Sequence, residues 1–186
     1  LHSYGITSVQ SDDLLSATSD YHDALQAFEQ LRAENKLTIR VYEQAQLPTL
    51  KALKEFINLG YCTGSGDEFF KIGPLKMLGD GSLGARTAFL SKPYYDAPKT
   101  RGIPVFSREE IKMMFDYANR HEMQIAIHAI GDGILDWIFE GYENALKNYS
   151  REDPRHGIVH CQITREDQLL KYQQLPVSYT HLRAHE

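Results

Sequence analysis

The sequence predicts an α/β fold of the (β/α)8-barrel type, about five strand–helix units long, and three observations carry that expectation. Apolar alternation and helical periodicity trade places along the chain, the pattern of a parallel sheet with right-handed crossovers. Gln124–Ile130 (QIAIHAI) and His156–Gln162 (HGIVHCQ) are apolar runs, each broken by an imidazole near its end. Those imidazoles, His128 and His160, stand 32 residues apart, near the ~30 residues per unit of a barrel of about 250. A lone His in an apolar strand is more often a satisfied core residue. Two on neighbouring strands, delivered to one rim, would make half a metal site.

The elements follow in order. Ile6–Gln10 is a short strand, followed by a polar loop through Ser19. Asp20 caps a helix over Tyr21–Asn35, whose Ala24, Leu25, Ala27, Phe28 and Leu31 form one stripe. Thr38–Tyr42 is β-branched and extended, and Thr49–Leu59 is helical, closed by Gly60. Gly73 and Pro74 interrupt the next strand and leave Leu75–Leu78 as its usable part. A long Gly-, Pro- and Tyr-rich loop, Gly79–Phe106, is of the kind that is more often functional than idle. Ser107 opens a capping box (SREE) for a helix to about His121. Strand Gln124–Ile130, helix Gly133–Lys147, strand Gly157–Cys161 and a helix from Thr164 to about Gln173 complete the count, Thr164 and Asp167 making a second box-like start.

Composition narrows the function classes. With 186 residues the chain is long enough for one sizeable core. A net charge of −5 without a basic cluster argues against a nucleic-acid partner. No apolar run is long enough to span a bilayer and no secretory pattern opens the chain. Cys62 and Cys161 lie far apart in no C-x-x-C arrangement, so they are expected as reduced thiols in a cytoplasmic protein. The chain starts at Leu1 and ends in VSYTHLRAHE, Val177–Glu186, which resembles a translated sequencing adaptor. The expectation is a catalytic-barrel fragment over residues 1–176 with a non-native tail over 177–186. His181 and His185 with Glu186 would mimic a zinc motif on a helix, and are discounted for that reason.

Lys76 lies inside an apolar strand (PLKML), where an uncompensated ammonium is costly. A snorkelling edge lysine, a Schiff-base lysine of an aldolase-like lyase and a carbamylated metal-bridging lysine all fit the strand alone. Beyond it, GDGSLGARTAFLSKPYYD (Gly79–Asp96), HAIGD (His128–Asp132) and IVHCQ (Ile158–Gln162) resemble the metal-dependent amidohydrolase superfamily. The match is to its family 3 branch, which includes proteins like N-substituted formamide deformylases; GITSV at Gly5–Val9 fits the same branch. The resemblance implies Lys76, carbamylated, and His128 and His160 as metal ligands from the fourth, fifth and sixth barrel strands. It implies one or two divalent ions, zinc by ligand chemistry, and hydrolysis of a non-peptide carbon–nitrogen bond in a small amide or formamide.

Two departures stand out. Val159 precedes His160 where the family often has Glu, and strand alternation is expected to aim Val159 away from His160. The first-strand H-x-H and the eighth-strand Asp, the family's general base, are not in this sequence, so turnover is expected of an intact parent rather than of this chain. A non-catalytic remnant is the other alternative, and homo-oligomerisation is left open. Asp80, Ser82 and Arg86 fall where substrate-facing loops emerge, although the glycines could cradle a phosphate and Asp80 with Arg86 could be an ion pair. Asp132 is expected either to orient His128 or to cap the helix at Gly133.

Overall fold

The computed structural model describes residues 1–180; the expectation concerning His181, His185 and Glu186 lies outside them. The chain folds as two compact units, divided between Lys76 and Met77. The architecture is α/β, with three adjacent parallel strands in each unit, separated by helices among the described residues.

In the first unit, β1 (Ser8–Ser11) leads through a single-turn α1 (Asp13–Ser16) into α2 (Tyr21–Ala33). The Asp20 carboxylate caps α2 by accepting from the His22 N–H, as its sequence position predicts. β2 (Arg40–Gln46) is followed by α3 (Leu50–Asn58), where the Thr49 hydroxyl accepts from Ala52. β3 (Phe70–Leu78) completes the ladder, with β1, β2 and β3 adjacent and parallel.

Two expectations are corrected here. β2 runs to Gln46 rather than ending at Tyr42, because Val41, Glu43 and Ala45 form its buried face; a carboxylate in that series hid the alternation. β3 runs straight through Gly73 and Pro74 because the ladder carries a bulge. Glu43 pairs with Ile72 and Ala45 with Leu75, so Gln44 faces two residues where Pro74 lacks its donor.

Glu43 is fully buried; its Oε1 accepts from the Leu14 N–H at 3.1 Å, and its Oε2 has no hydrogen-bond partner among the described residues. Burial first, then the Asp13 charge, pushes its carboxyl from the ordinary 4.5 to about 7. The folded state therefore holds a proton that the unfolded chain releases near 4.5. This group's contribution is complete below that value and is lost as pH rises through 7. Wild type is expected to lose on the order of 1–3 kcal/mol from this group between pH 5 and pH 8. Glu43→Gln should flatten that part of the slope in urea titrations at the two pH values; an unchanged slope would assign the loss elsewhere.

In the second unit, α4 (Arg108–Arg120) starts at the expected Ser107–Glu110 capping box. β4 (Ile125–Ala129), α5 (Asp132–Asn148), β5 (His156–His160), α6 (Glu166–Gln174) and β6 (Val177–Tyr179) follow. β4, β5 and β6 are adjacent and parallel, His156 pairing with Val177 and Ile158 with Tyr179. α6 begins later than expected: the Arg165 N–H donates to Gln168 Oε1 at 3.0 Å, and Thr164 instead donates to the Cys161 carbonyl. Phe115 of α4 stacks on Tyr142 of α5 at 4.4 Å. Tyr142 in turn stacks on His156, which is fully buried.

Candidate metal centre

The ends of β4 and β5 deliver two imidazoles to one place, and the route is not simple alternation. In the ladder His128 stands opposite Val159, and Ala129 opposite His160. Partners across a parallel ladder share a face, so regular alternation would turn His160 toward the helix-packed side, where Ile127 and Ile158 are buried. Instead the rings of His128 and His160 meet edge to face, 4.7 Å between centroids. The backbone supplies the reason. His160 has φ 81° and Cys161 φ 42°, two left-handed residues in tandem. They end the strand and swing the His160 ring to the His128 side. Cys161 turns to the helix-packed side, its Sγ 2.8 Å from the Tyr172 hydroxyl. The expectation that alternation separates Val159 from His160 is thereby corrected: both stand on the His128 face.

His128 is largely buried, with its side chain 15% exposed. Its Nε2 lies 2.9 Å from the Gly81 carbonyl oxygen. A carbonyl only accepts, so Nε2 carries the hydrogen, and in the neutral ring Nδ1 is the nitrogen with a lone pair. That lone pair is what a metal would use. Among the described residues no group of three or more His, Cys, Asp or Glu side chains is arranged to hold a metal ion. The two imidazoles would supply two nitrogen ligands to a divalent ion, with the remaining ligands to come from elsewhere.

Lys76 belongs to the first unit. It stands opposite Gln46 in the β2–β3 ladder and is 8% exposed. Burial pushes its pKa down from the ordinary lysine value, against a smaller pull upward from Asp12. The edge-snorkelling reading is not what its burial shows.

The glycine-rich loop is tied down by backbone and by two carboxylates. Gly79 N–H donates to the His128 carbonyl, and Val105 N–H to the Gly79 carbonyl. Asp80, 3% exposed, accepts from the N–H groups of Phe89 (2.8 Å), Gly131 (2.8 Å) and Ile130 (3.0 Å). Arg86 pairs with Asp96 at 2.6 Å, not with Asp80, so the predicted ion pair exists with a different acid. Ser82 is exposed; its carbonyl accepts from Thr87 and Ala88 and closes a tight turn.

Asp132 fills neither of its predicted roles. It is the first residue of α5 and accepts from the Ser91 N–H (2.9 Å), the Ser91 hydroxyl and Arg165 (3.2 Å), clamping the loop to α5 and the start of α6. What caps α5 is a loop carbonyl: Phe89 O accepts from Gly133 and Ile134. This contact explains the glycines of the HAIGDG motif, which no sequence argument assigned. A Cβ at Gly131 would lie 2.1 Å from that oxygen, and one at Gly133 would lie 2.7 Å from the Leu90 carbonyl carbon.

Three comparisons bear on this geometry. The profile of the amidohydrolase family matches residues 1–180. YtcJ of Bacillus subtilis strain 168, provisionally named an amidohydrolase, is 30% identical over 175 residues, 94% of this chain and 31% of its own length. The Arabidopsis thaliana protein LONG AFTER FAR-RED 3 is 35% identical over 95 residues, 51% of this chain and 16% of its own. Among solved structures, an uncharacterized metal-dependent hydrolase from Pyrococcus horikoshii OT3 superposes with a TM-score of 0.71 at 35% identity, covering 85% of this chain and 30% of that one. One from Pyrococcus furiosus gives 0.72 at 33%, covering 85% and 31%. The chain therefore spans about a third of YtcJ and of both hydrolases.

Proposed function

Because the chain belongs to the amidohydrolase family, we propose that its intact parent hydrolyses a carbon–nitrogen bond in a small non-peptide amide or formamide, using a divalent metal, zinc by ligand chemistry. The observation that carries the reading is the convergence of His128 and His160 by way of a left-handed backbone that alternation alone would not provide. The two metal-dependent hydrolases from Pyrococcus support it as relatives of similar fold.

His128 through Nδ1 and His160 would hold the ion, with Lys76 as a carbamylated third ligand. When bound, a metal would supply Lewis acidity, lowering the pKa of a water to about 7 and polarising the scissile carbonyl. The chain's own residues do the rest. Burial keeps more of the Lys76 amine neutral, the form whose nitrogen attacks carbon dioxide and then releases a proton to give the carbamate. The Gly81 carbonyl holds the His128 ring by its Nε2–H. With the first-strand H-x-H and eighth-strand Asp absent from its sequence, this chain alone is expected not to turn over.

The test is elemental analysis of the parent protein, with hydrolysis of an N-substituted formamide assayed before and after chelation. Bound zinc, loss of activity on chelation and its return on adding zinc are expected. A metal-free protein in which borohydride traps a carbonyl substrate on Lys76 would establish a Schiff-base lyase instead.

A further inference from the structure

Asp80 has no assigned role, and its surroundings are unusual. The carboxylate is walled off from solvent, its side chain 0% exposed, yet among the described residues no Lys or Arg pairs with it. Its oxygens are taken up by three backbone N–H groups from two separate segments, Phe89 in the long loop and Ile130–Gly131 after β4. The remaining approach is to His128, whose Nε2 lies 3.5 Å from Oδ1. The same nitrogen is 2.9 Å from the carbonyl of Gly81, the residue next to Asp80. One N–H therefore faces two acceptors that are neighbours in sequence. We infer that Asp80 is a positioning residue for His128: its buried carboxylate fixes the Gly81 carbonyl and, with it, the Nε2–H form of the ring, so that Nδ1 is presented to the site.

The physical argument is one of charge and reach. A buried carboxylate supplies a negative field that water does not screen, and a nearby imidazole N–H is drawn to it. An anion behind a ligating His also raises the basicity of its other nitrogen, and losing such a partner costs 10–100-fold in metal affinity by general experience. Asp80 does not reach a substrate, because its oxygens are spent on the backbone and on His128. Ser82 and Arg86, exposed beyond it, keep that opportunity.

The inference rests on the metal-site reading above, and its test separates the two. First, in metal-free protein carrying nitrogen-15 histidine, two-bond proton couplings identify the His128 tautomer. Nε2–H is expected, and a dominant Nδ1–H form would overturn the inference whatever else is found. Second, zinc dissociation constants are measured by chelator competition for wild type, Asp80→Asn and Asp132→Asn. Asp132 clamps the same loop through Ser91 but does not face His128, so its variant controls for general loosening. Asp80→Asn is expected to weaken zinc by roughly 10–100-fold, and Asp132→Asn by less than about 3-fold. Equal weakening by both variants, or none with Asp80→Asn, would overturn the positioning role. If Asp80→Asn does not fold, the wild-type tautomer decides. Wild type that binds no zinc while keeping Nε2–H would defeat the hydrolase reading and leave the positioning of the ring intact.

Discussion

Alanine at His128 or at His160 in the parent protein is expected to abolish metal-dependent hydrolysis, by roughly 10³-fold or more, while leaving the fold in place. Both rings sit at the ends of their strands. His128 retains some exposure, and His160 is the last residue of its strand, on left-handed backbone, so neither is a packing centre of the sheet. Each variant removes one of two converging imidazole donors. Zinc content should fall with activity, and thermal unfolding should move little. Measured together, content, turnover and melting temperature give a signature that a structural histidine would not. Full activity in His128→Ala protein after chelation would refute the metal reading outright.

His156 should behave in the opposite way, and its replacement by alanine is expected to cost roughly 3–5 kcal/mol of stability. The side chain is fully buried at the start of β5. Nδ1 accepts from the Ile125 N–H at 3.1 Å and Nε2 donates to Asn119 Oδ1 at 3.0 Å. Asn119 itself donates to the carbonyls of Ala145 and Tyr149. Removing the ring leaves a cavity against Tyr142 and strands one donor and one acceptor in the core.

The same burial sets an acid limit. Desolvation, with a smaller push from Arg151, lowers the His156 pKa from 6.5 to about 3. The unfolded chain takes up this proton below 6.5 and the folded one does not. This contribution is therefore present above pH 6.5 and lost as pH falls toward 3, by up to about 5 kcal/mol in total. Denaturant midpoints at pH 7, 5 and 4 should fall in sequence. A midpoint unchanged between pH 7 and pH 4 would show that the ring is not held neutral.

Much of the architecture was legible from local chemistry. Asp20 and Ser107 announced their helices, and the 32-residue interval placed His128 and His160 on neighbouring strands. Less legible were features made by contacts remote in sequence. The run of β3 through Gly73 and Pro74 depends on a bulge opposite Gln44, which belongs to the pairing and not to either strand alone. Asp132 looked like a helix cap or a partner for His128, but its partners, Ser91 and Arg165, lie 41 and 33 residues away. Asp80 looked substrate-facing because it follows a barrel strand; the backbone that claims it comes from two later segments. The meeting of the two rings was expected, but the means of it was not, since alternation predicts the wrong face for His160.

That means of arrival carries a trade-off. Left-handed geometry at two consecutive non-glycine residues, His160 and Cys161, costs on the order of 1–3 kcal/mol apiece. Glycine at position 161 would relax its share of that cost, yet it would remove the thiol wedged against Tyr172 and free the joint to wander. Relaxing this turn would thus blunt the aim of the imidazole beside it. The protein keeps a taut joint so that the ring arrives in one place.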